Sequence, residues 1–162
     1  MRADGDAAAC VDALRDVQLA SGYPTRWPDD PAAWLDPPDL VGAWVAERED
    51  RIVGHIGLAA GRSEPGLAAA TGVPVELLVL VTRLFVTPAA RGLGLARALL
   101  SVVTGHAAAT DLTLGLDVIE RSVEAIALYE SLGWRHVGSA RARWRTQDGR
   151  HPMVRYYLAP EG

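Results

Sequence analysis

Apolar residues first recur at helical spacing near the start of the chain. Cys10, Val11, Leu14 and Val17 share one face behind Asp6, a residue suited to cap a helix, and the pattern stops near Gly22. A proline-rich aromatic stretch follows, from Tyr23 through Trp27 and Trp34 to Pro37-Pro38, and predicts a loop with room for one helical turn. Residues 41–47 and 52–58 alternate like strands around Glu49-Asp50, which predicts a hairpin. Residues 61–72, rich in Gly, Ala and Pro, predict a loop. Residues 75–86 form a nearly continuous β-rich apolar run, the pattern of a strand covered on both faces, and Pro88 ends it.

Leu95, Leu99, Val102, Val103 and His106 make a helical stripe after Gly94. Residues 112–118 predict a strand. Ser122 is placed to cap a helix carrying Ala125, Ile126, Leu128, Tyr129 and Leu132, closed by Gly133. Residues 137–144 alternate, Asp148-Gly149 marks a turn, and residues 153–158 complete a last hairpin. The order is helix, hairpin, long strand, helix, strand, helix, hairpin. It predicts a mixed α/β fold with one parallel crossover unit and an otherwise antiparallel sheet.

A length of 162 residues fits one domain, here residues 1–162. The net charge of −4 disfavours a partner bound through many phosphates, so no nucleic-acid role is expected. All 16 basic residues are arginine, which excludes a Walker lysine and Schiff-base chemistry on a lysine. The single cysteine, Cys10, offers neither an internal disulfide nor a multi-cysteine metal site, and no metal is expected. Residues 1–10 lack a secretory apolar segment, and the run 73–81 is too short to span a bilayer, so the expected location is cytoplasmic, without a membrane partner.

The most informative stretch is Leu84-Phe85-Val86-Thr87-Pro88-Ala89-Ala90-Arg91-Gly92-Leu93-Gly94-Leu95-Ala96-Arg97. A strand ends, a turn follows, and glycines open a helix. The first amides of a helix have no internal acceptors and, with the helix dipole, favour an anion. Three readings compete here: two packing glycines at a helix start, a dinucleotide fingerprint, and a pyrophosphate site for coenzyme A. The fingerprint fits poorly, because Arg97 stands at its third glycine and five residues separate Val86 from Gly92.

Arg91-x-x-Gly94-x-Ala96 resembles the R/Q-x-x-G-x-G/A segment of the GNAT superfamily of N-acetyltransferases. Leu114-x-Leu116-x-Val118, then Ser122, Ala125, Leu128-Tyr129-Glu130 and Gly133-Trp134, is similar to that family's strand-to-helix stretch. The two blocks cover about residues 77–134. The resemblance implies a GNAT-like single-domain fold, with a central, mostly antiparallel sheet, two parallel central strands splayed around acetyl-CoA, and flanking helices.

It further implies that the backbones of Leu84, Phe85 and Val86 pair with the pantetheine arm. The amides of Gly92, Leu93, Gly94, Leu95, Ala96 and Arg97, with Arg91 beside them, would hold the pyrophosphate. Ser122 stands where the family often has asparagine contacting the coenzyme, a departure that weakens one expected hydrogen bond; its hydroxyl can also simply cap the helix, the reading preferred here. Tyr129 would be the general acid, since a phenol near pKa 10 keeps its proton at neutral pH and can give it to a departing thiolate; the alternative is a buried aromatic on the helix face of Ile126. The strand glutamate that some members use as base falls at Leu80, so it is missing, and Glu76 lies earlier in the chain. Asp117 matches a carboxylate position of members that acetylate protein N-termini, and competes with a solvent-facing role.

His55 is a weaker candidate base, set against a satisfied core histidine. Trp27 and Trp34 either cap a core edge or line a substrate mouth, which the 146–152 turn would also flank. Arg141, Arg143 and Arg145 are expected on one face of a strand, as a solvated face or a site for an acidic group. Only a residue or two precedes Ala3-Asp4-Gly5-Asp6, where the family usually has a strand. The implied activity is acetyl transfer from acetyl-CoA to a primary amine, on a small molecule or a peptide, with a possible homodimer. The alternative is a catalytically weak acyl-CoA-binding or regulatory module on the same fold.

Overall fold

The computed structural model describes residues 1–161. Its strands are β1 (Leu40–Arg48), β2 (Arg51–Ala60), β3 (Leu78–Val86), β4 (Thr113–Ile119), β5 (Arg135–Arg141) and β6 (Met153–Leu158). They form one sheet in the order β1-β2-β3-β4-β6-β5. β3 and β4 are parallel, with Leu78, Val79 and Leu80 opposite Thr113, Leu114 and Gly115. β6 is antiparallel to β4 and to β5. The helices are α1 (Ala7–Ser21), α2 (Pro31–Leu35), α3 (Pro65–Thr71), α4 (Leu95–Ala109) and α5 (Val123–Ser131). This is the expected mixed α/β fold. Two compact units share the chain, residues 1–58 with 82–102, and residues 59–81 with 103–162.

In the first unit, α1 buries Cys10, Leu14 and Val17 of the predicted stripe, and Ala13 rather than the half-buried Val11, in a cluster with Leu35 and Phe85. Burial pushes the Cys10 thiol up to about 11. Gly22, in the left-handed region, ends α1. Asp6 does not cap it. A short turn over Asp4–Asp6 already places Asp6 in helical geometry, and its carboxylate reaches back to the Ala3 amide at 2.7 Å. The predicted helical turn in the aromatic loop is α2, with Pro31 at its start and the Asp30 side chain as its cap. Glu49 and Asp50 both have positive φ, the geometry of a two-residue hairpin turn between β1 and β2. Ahead of α1 the Arg2 amide donates to the Ala43 carbonyl of β1 at 2.9 Å.

In the second unit, Leu67, Leu78, Leu80, Ala142, Val154, Tyr156 and Leu158 form the core. Three sequence expectations are corrected here. The 61–72 loop contains α3, which Pro65 starts, the Glu64 side chain caps and Gly72 ends in the left-handed region. Residues 75–77 form a single tight turn, so β3 begins at Leu78. β5 stops at Arg141: the Ala142 amide bonds the Pro152 carbonyl at 2.8 Å, and Pro152 has no N–H to return, so the ladder ends. Arg143 and Arg145 therefore lie outside any strand, and the expected three-arginine strand face does not form. The 146–150 turn closes on Gly149, as expected, and Arg145 donates to the Gly149 carbonyl at 2.8 Å.

Candidate functional site

In the first unit the chain leaves β3 at Val86, makes one turn over Pro88–Ala90 and enters α4 through Gly92 and Gly94. These glycines have φ values of 77° and 75°, which side chains rarely adopt, and a Cβ at either would meet nothing within 4 Å. Their conformation, not crowding, requires glycine, and it leaves the face of the loop open. Among the described residues the amides of residues 92–96 donate no backbone hydrogen bond. The Ala98 amide, one turn into the helix, donates to the Gly94 carbonyl at 3.0 Å. Arg91 reaches Ser21 Oγ at 3.3 Å. Leu84, Phe85 and Val86 close β3, with the Phe85 side chain buried in the core of this unit.

His55 is fully buried on β2. Its Nδ1 lies 2.9 Å from the Arg83 carbonyl, and its ring stacks on Phe85 at 5.4 Å. Arg2 sits beyond it, with Nη1 3.4 Å from His55 Nε2 and 2.9 Å from the Leu35 carbonyl, and Nη2 2.6 Å from Asp36. Burial lowers the His55 pKa to about 4, with the Arg2 and Arg83 charges adding to it and the Arg83 carbonyl opposing. The imidazole is neutral at pH 7 and satisfied, the core histidine of the two sequence readings.

The two loop tryptophans separate. Trp27 lies under the exposed Arg15 guanidinium at 4.1 Å. Trp34 packs edge-on to Tyr23 at 6.1 Å and lies under Arg83 at 4.6 Å. Both are half-buried against the α1 core.

In the second unit Tyr129 is buried on α5, beside Trp134 at 5.7 Å and Tyr157 at 6.3 Å. Burial, then the Asp117 charge, raises its phenol well above the ordinary value. Asp117 is half-buried on β4 opposite Tyr156 of β6. Burial, then the Glu64 charge, pushes its carboxyl up to about 6. Glu64 accepts hydrogen bonds at 3.1 Å from the Tyr156 hydroxyl and from the Gly66 amide. Ser122 occupies the N-cap position of α5, but its side chain makes no capping bond; its carbonyl receives the Ile126 amide. The capping alternative for its hydroxyl is thus overturned.

Sequence reasoning missed Glu64, Tyr156 and Arg83. Glu64 precedes Pro65, a helix-start signal that a stretch rich in Gly, Ala and Pro obscured. Tyr156 sits in a predicted strand beside another tyrosine, with nothing local to single it out. Among the described residues no group of three or more His, Cys, Asp or Glu could hold a metal ion, and no helix is long and apolar enough to cross a membrane.

Solved structures share this fold. The ribosomal-protein-alanine N-acetyltransferase of Brucella melitensis is 20% identical, with a TM-score of 0.74 over 99% of this chain and 97% of that one. NAA60 of Arabidopsis thaliana in complex with acetyl-CoA is 20% identical, with a TM-score of 0.73 over 96% of this chain and 93% of that one. A mycothiol acetyltransferase of Acidothermus cellulolyticus is 38% identical over 110 residues, which are 66% of this chain; the match spans a third (33%) of that relative's length. The model of the acetyltransferase (GNAT) domain matches residues 40–136, more than half of the chain, and the chain belongs to that family.

Proposed function

We propose that the chain is an acetyl-CoA-dependent N-acetyltransferase that acts on a primary amine by direct attack. The observation that carries this reading is the run of open amides over residues 92–96 at the start of a 15-residue helix, in the segment that resembles the family's coenzyme loop. Five amides without backbone acceptors, two glycines with open space in place of side chains, and Arg91 beside them fit a diphosphate. The family's acetyl-CoA, as in the NAA60 complex, supplies that diphosphate and an activated acetyl thioester. The backbones of Leu84, Phe85 and Val86 would hold the pantetheine arm, and the Val86 amide would polarise the thioester carbonyl. The Ser122 hydroxyl, having no capping duty, is free to serve the coenzyme.

In the reaction the amine nitrogen bonds the acetyl carbon, the carbon–sulfur bond breaks, the nitrogen loses a proton and the sulfur gains one. Asp117 takes the amine's proton, directly or through water, because a carboxyl near pKa 6 is mostly ionised at pH 7 yet basic enough to receive it. Tyr129 gives its proton to the sulfur. Its phenol is raised in part by the Asp117 charge, so protonation of Asp117 removes one of the two effects that hold the proton on Tyr129. The two transfers therefore favour each other.

Two measurements on the same protein test the reading: a thermal shift with acetyl-CoA, and release of the coenzyme thiol across a panel of amines. Stabilisation with turnover of at least one amine is the expected result. Stabilisation without turnover makes the chain an acyl-CoA-binding or regulatory module, the reading that Leu80 in the glutamate position favours. Stabilisation by NAD but not by acetyl-CoA overturns both.

A further inference from the structure

Arg83 lies inside β3 with φ at 51°, a region that non-glycine residues rarely occupy. Such a conformation persists where its surroundings over-determine it, and it is concentrated at functional sites. Here the surroundings are a buried stack: the His55 imidazole bonds the Arg83 carbonyl, and Arg2, fixed by Asp36 and the Leu35 carbonyl, lies behind His55. The backbone of residue 83 is pinned, and its side chain is directed over Trp34.

The guanidinium is poorly compensated for its burial. Nη1 donates to Thr82 Oγ1 at 2.7 Å, while Nε is buried without a hydrogen-bond partner. Among the described residues no carboxylate lies within ion-pair distance of it, and Asp39 acts only from farther off. Burial accordingly lowers its pKa. A stacking role alone needs none of this: Arg15 over Trp27 stacks at 4.1 Å in the open. A half-buried arginine fork with no anion of its own, flanked by the Trp34 and Tyr23 rings, matches a planar carboxylate with an apolar body beside it.

We propose that Arg83, with Trp34 and Tyr23 as its apolar wall, is the acceptor-recognition site of this chain and binds a carboxylate on the amine substrate. The site favours amino acids and acidic peptides with a free carboxylate over neutral amines. This rests on the amine-acetylation reading above.

The test compares L-leucine, L-phenylalanine and L-aspartate with their carboxamides, in wild-type protein and in Arg83→Gln and Arg83→Lys. Coenzyme thiol release gives kcat and KM. Calorimetric titration with the N-acetylated forms of the same six compounds gives binding independently of turnover. At least one acid should show a KM about tenfold or more below that of its carboxamide, with similar kcat. The ratio should fall to about one in Arg83→Gln and be partly kept in Arg83→Lys. A merely structural role would instead raise KM for acid and amide together. Equal binding of acid and amide in every wild-type pair, or a preference that survives in Arg83→Gln, overturns the proposal, and the wild-type comparison needs no variant to fold. Selective binding of the N-acetyl acids without turnover of any amine keeps this site and sinks the acetyltransferase reading instead.

Discussion

His55 donates from Nδ1 to the carbonyl oxygen of Arg83, 28 residues further along the chain, at 2.9 Å. The bond joins a fully buried imidazole to a backbone at positive φ, and makes the histidine a support for β3. Burial, with the Arg2 and Arg83 charges adding to it, disfavours a protonated ring there and keeps the imidazole neutral.

Stability should therefore respond to pH through His55. The folded pKa of about 4 lies below the unfolded value of 6.5, so between these limits the unfolded chain binds more protons. The His55 contribution is complete above pH 6.5 and is lost as pH falls toward 4, by at most about 3 kcal/mol. Denaturant unfolding of wild type and His55→Gln at pH 7.5 and pH 4.5 checks it. The gap between the two proteins should narrow at the lower pH; a constant gap would mean that His55 does not titrate in that window.

Asp117 sets an expected acidic limb. If it accepts the amine's proton, kcat/KM falls as pH drops below about 6, where its carboxyl becomes protonated. Glu64→Gln removes the negative neighbour that helps hold Asp117 up, so the limb should move to lower pH. Its position, not its height, is the measurement, because Glu64 also caps α3. A limb unmoved in Glu64→Gln and retained in Asp117→Asn excludes Asp117 as the base.

Tyr129→Phe should lower kcat by a factor of about 100 or more, the usual range for a lost general acid, with little change in acetyl-CoA affinity. The phenol is buried between Trp134 and Tyr157, and phenylalanine keeps that packing. Steady-state kinetics with calorimetric titration of acetyl-CoA separates the two quantities. An unaltered kcat would remove Tyr129 from proton transfer.

Gly94→Ala tests the loop ahead of α4. The added methyl meets nothing within 4 Å, so the cost comes from the positive φ alone, about 1–2 kcal/mol. The melting temperature should fall, and acetyl-CoA should bind several-fold more weakly as the amides shift. Lost stability with unchanged coenzyme affinity would show that these amides do not hold it.

Much of the fold was legible because its elements carry strong local patterns. The α1 stripe recurs at the helical period, Glu49-Asp50 interrupts two alternating runs, and β3 is an almost unbroken apolar run. α3 was missed although Pro65 and Gly72 bracket it, because Ala-Ala-Ala and two glycines give no apolar period; only Leu67 is buried. The end of β5 depended on Pro152, ten residues away from Ala142 in sequence. At the candidate site, Tyr129, Asp117 and the glycine loop were named from the resemblance of their segments to the family's motifs. Arg83 could not be, since its conformation is imposed by His55 and Arg2 from distant segments. Glu64 and Tyr156 meet across 92 residues for the same reason.

The burial of Cys10 in α1 has a practical consequence. Its sulfur is inaccessible and holds its proton up to about pH 11. Only thiolates attack aromatic disulfide reagents at useful speed. Since Cys10 is the sole cysteine, the native protein is silent to such dyes, and colour that develops in a reaction mixture reports liberated coenzyme without a protein blank.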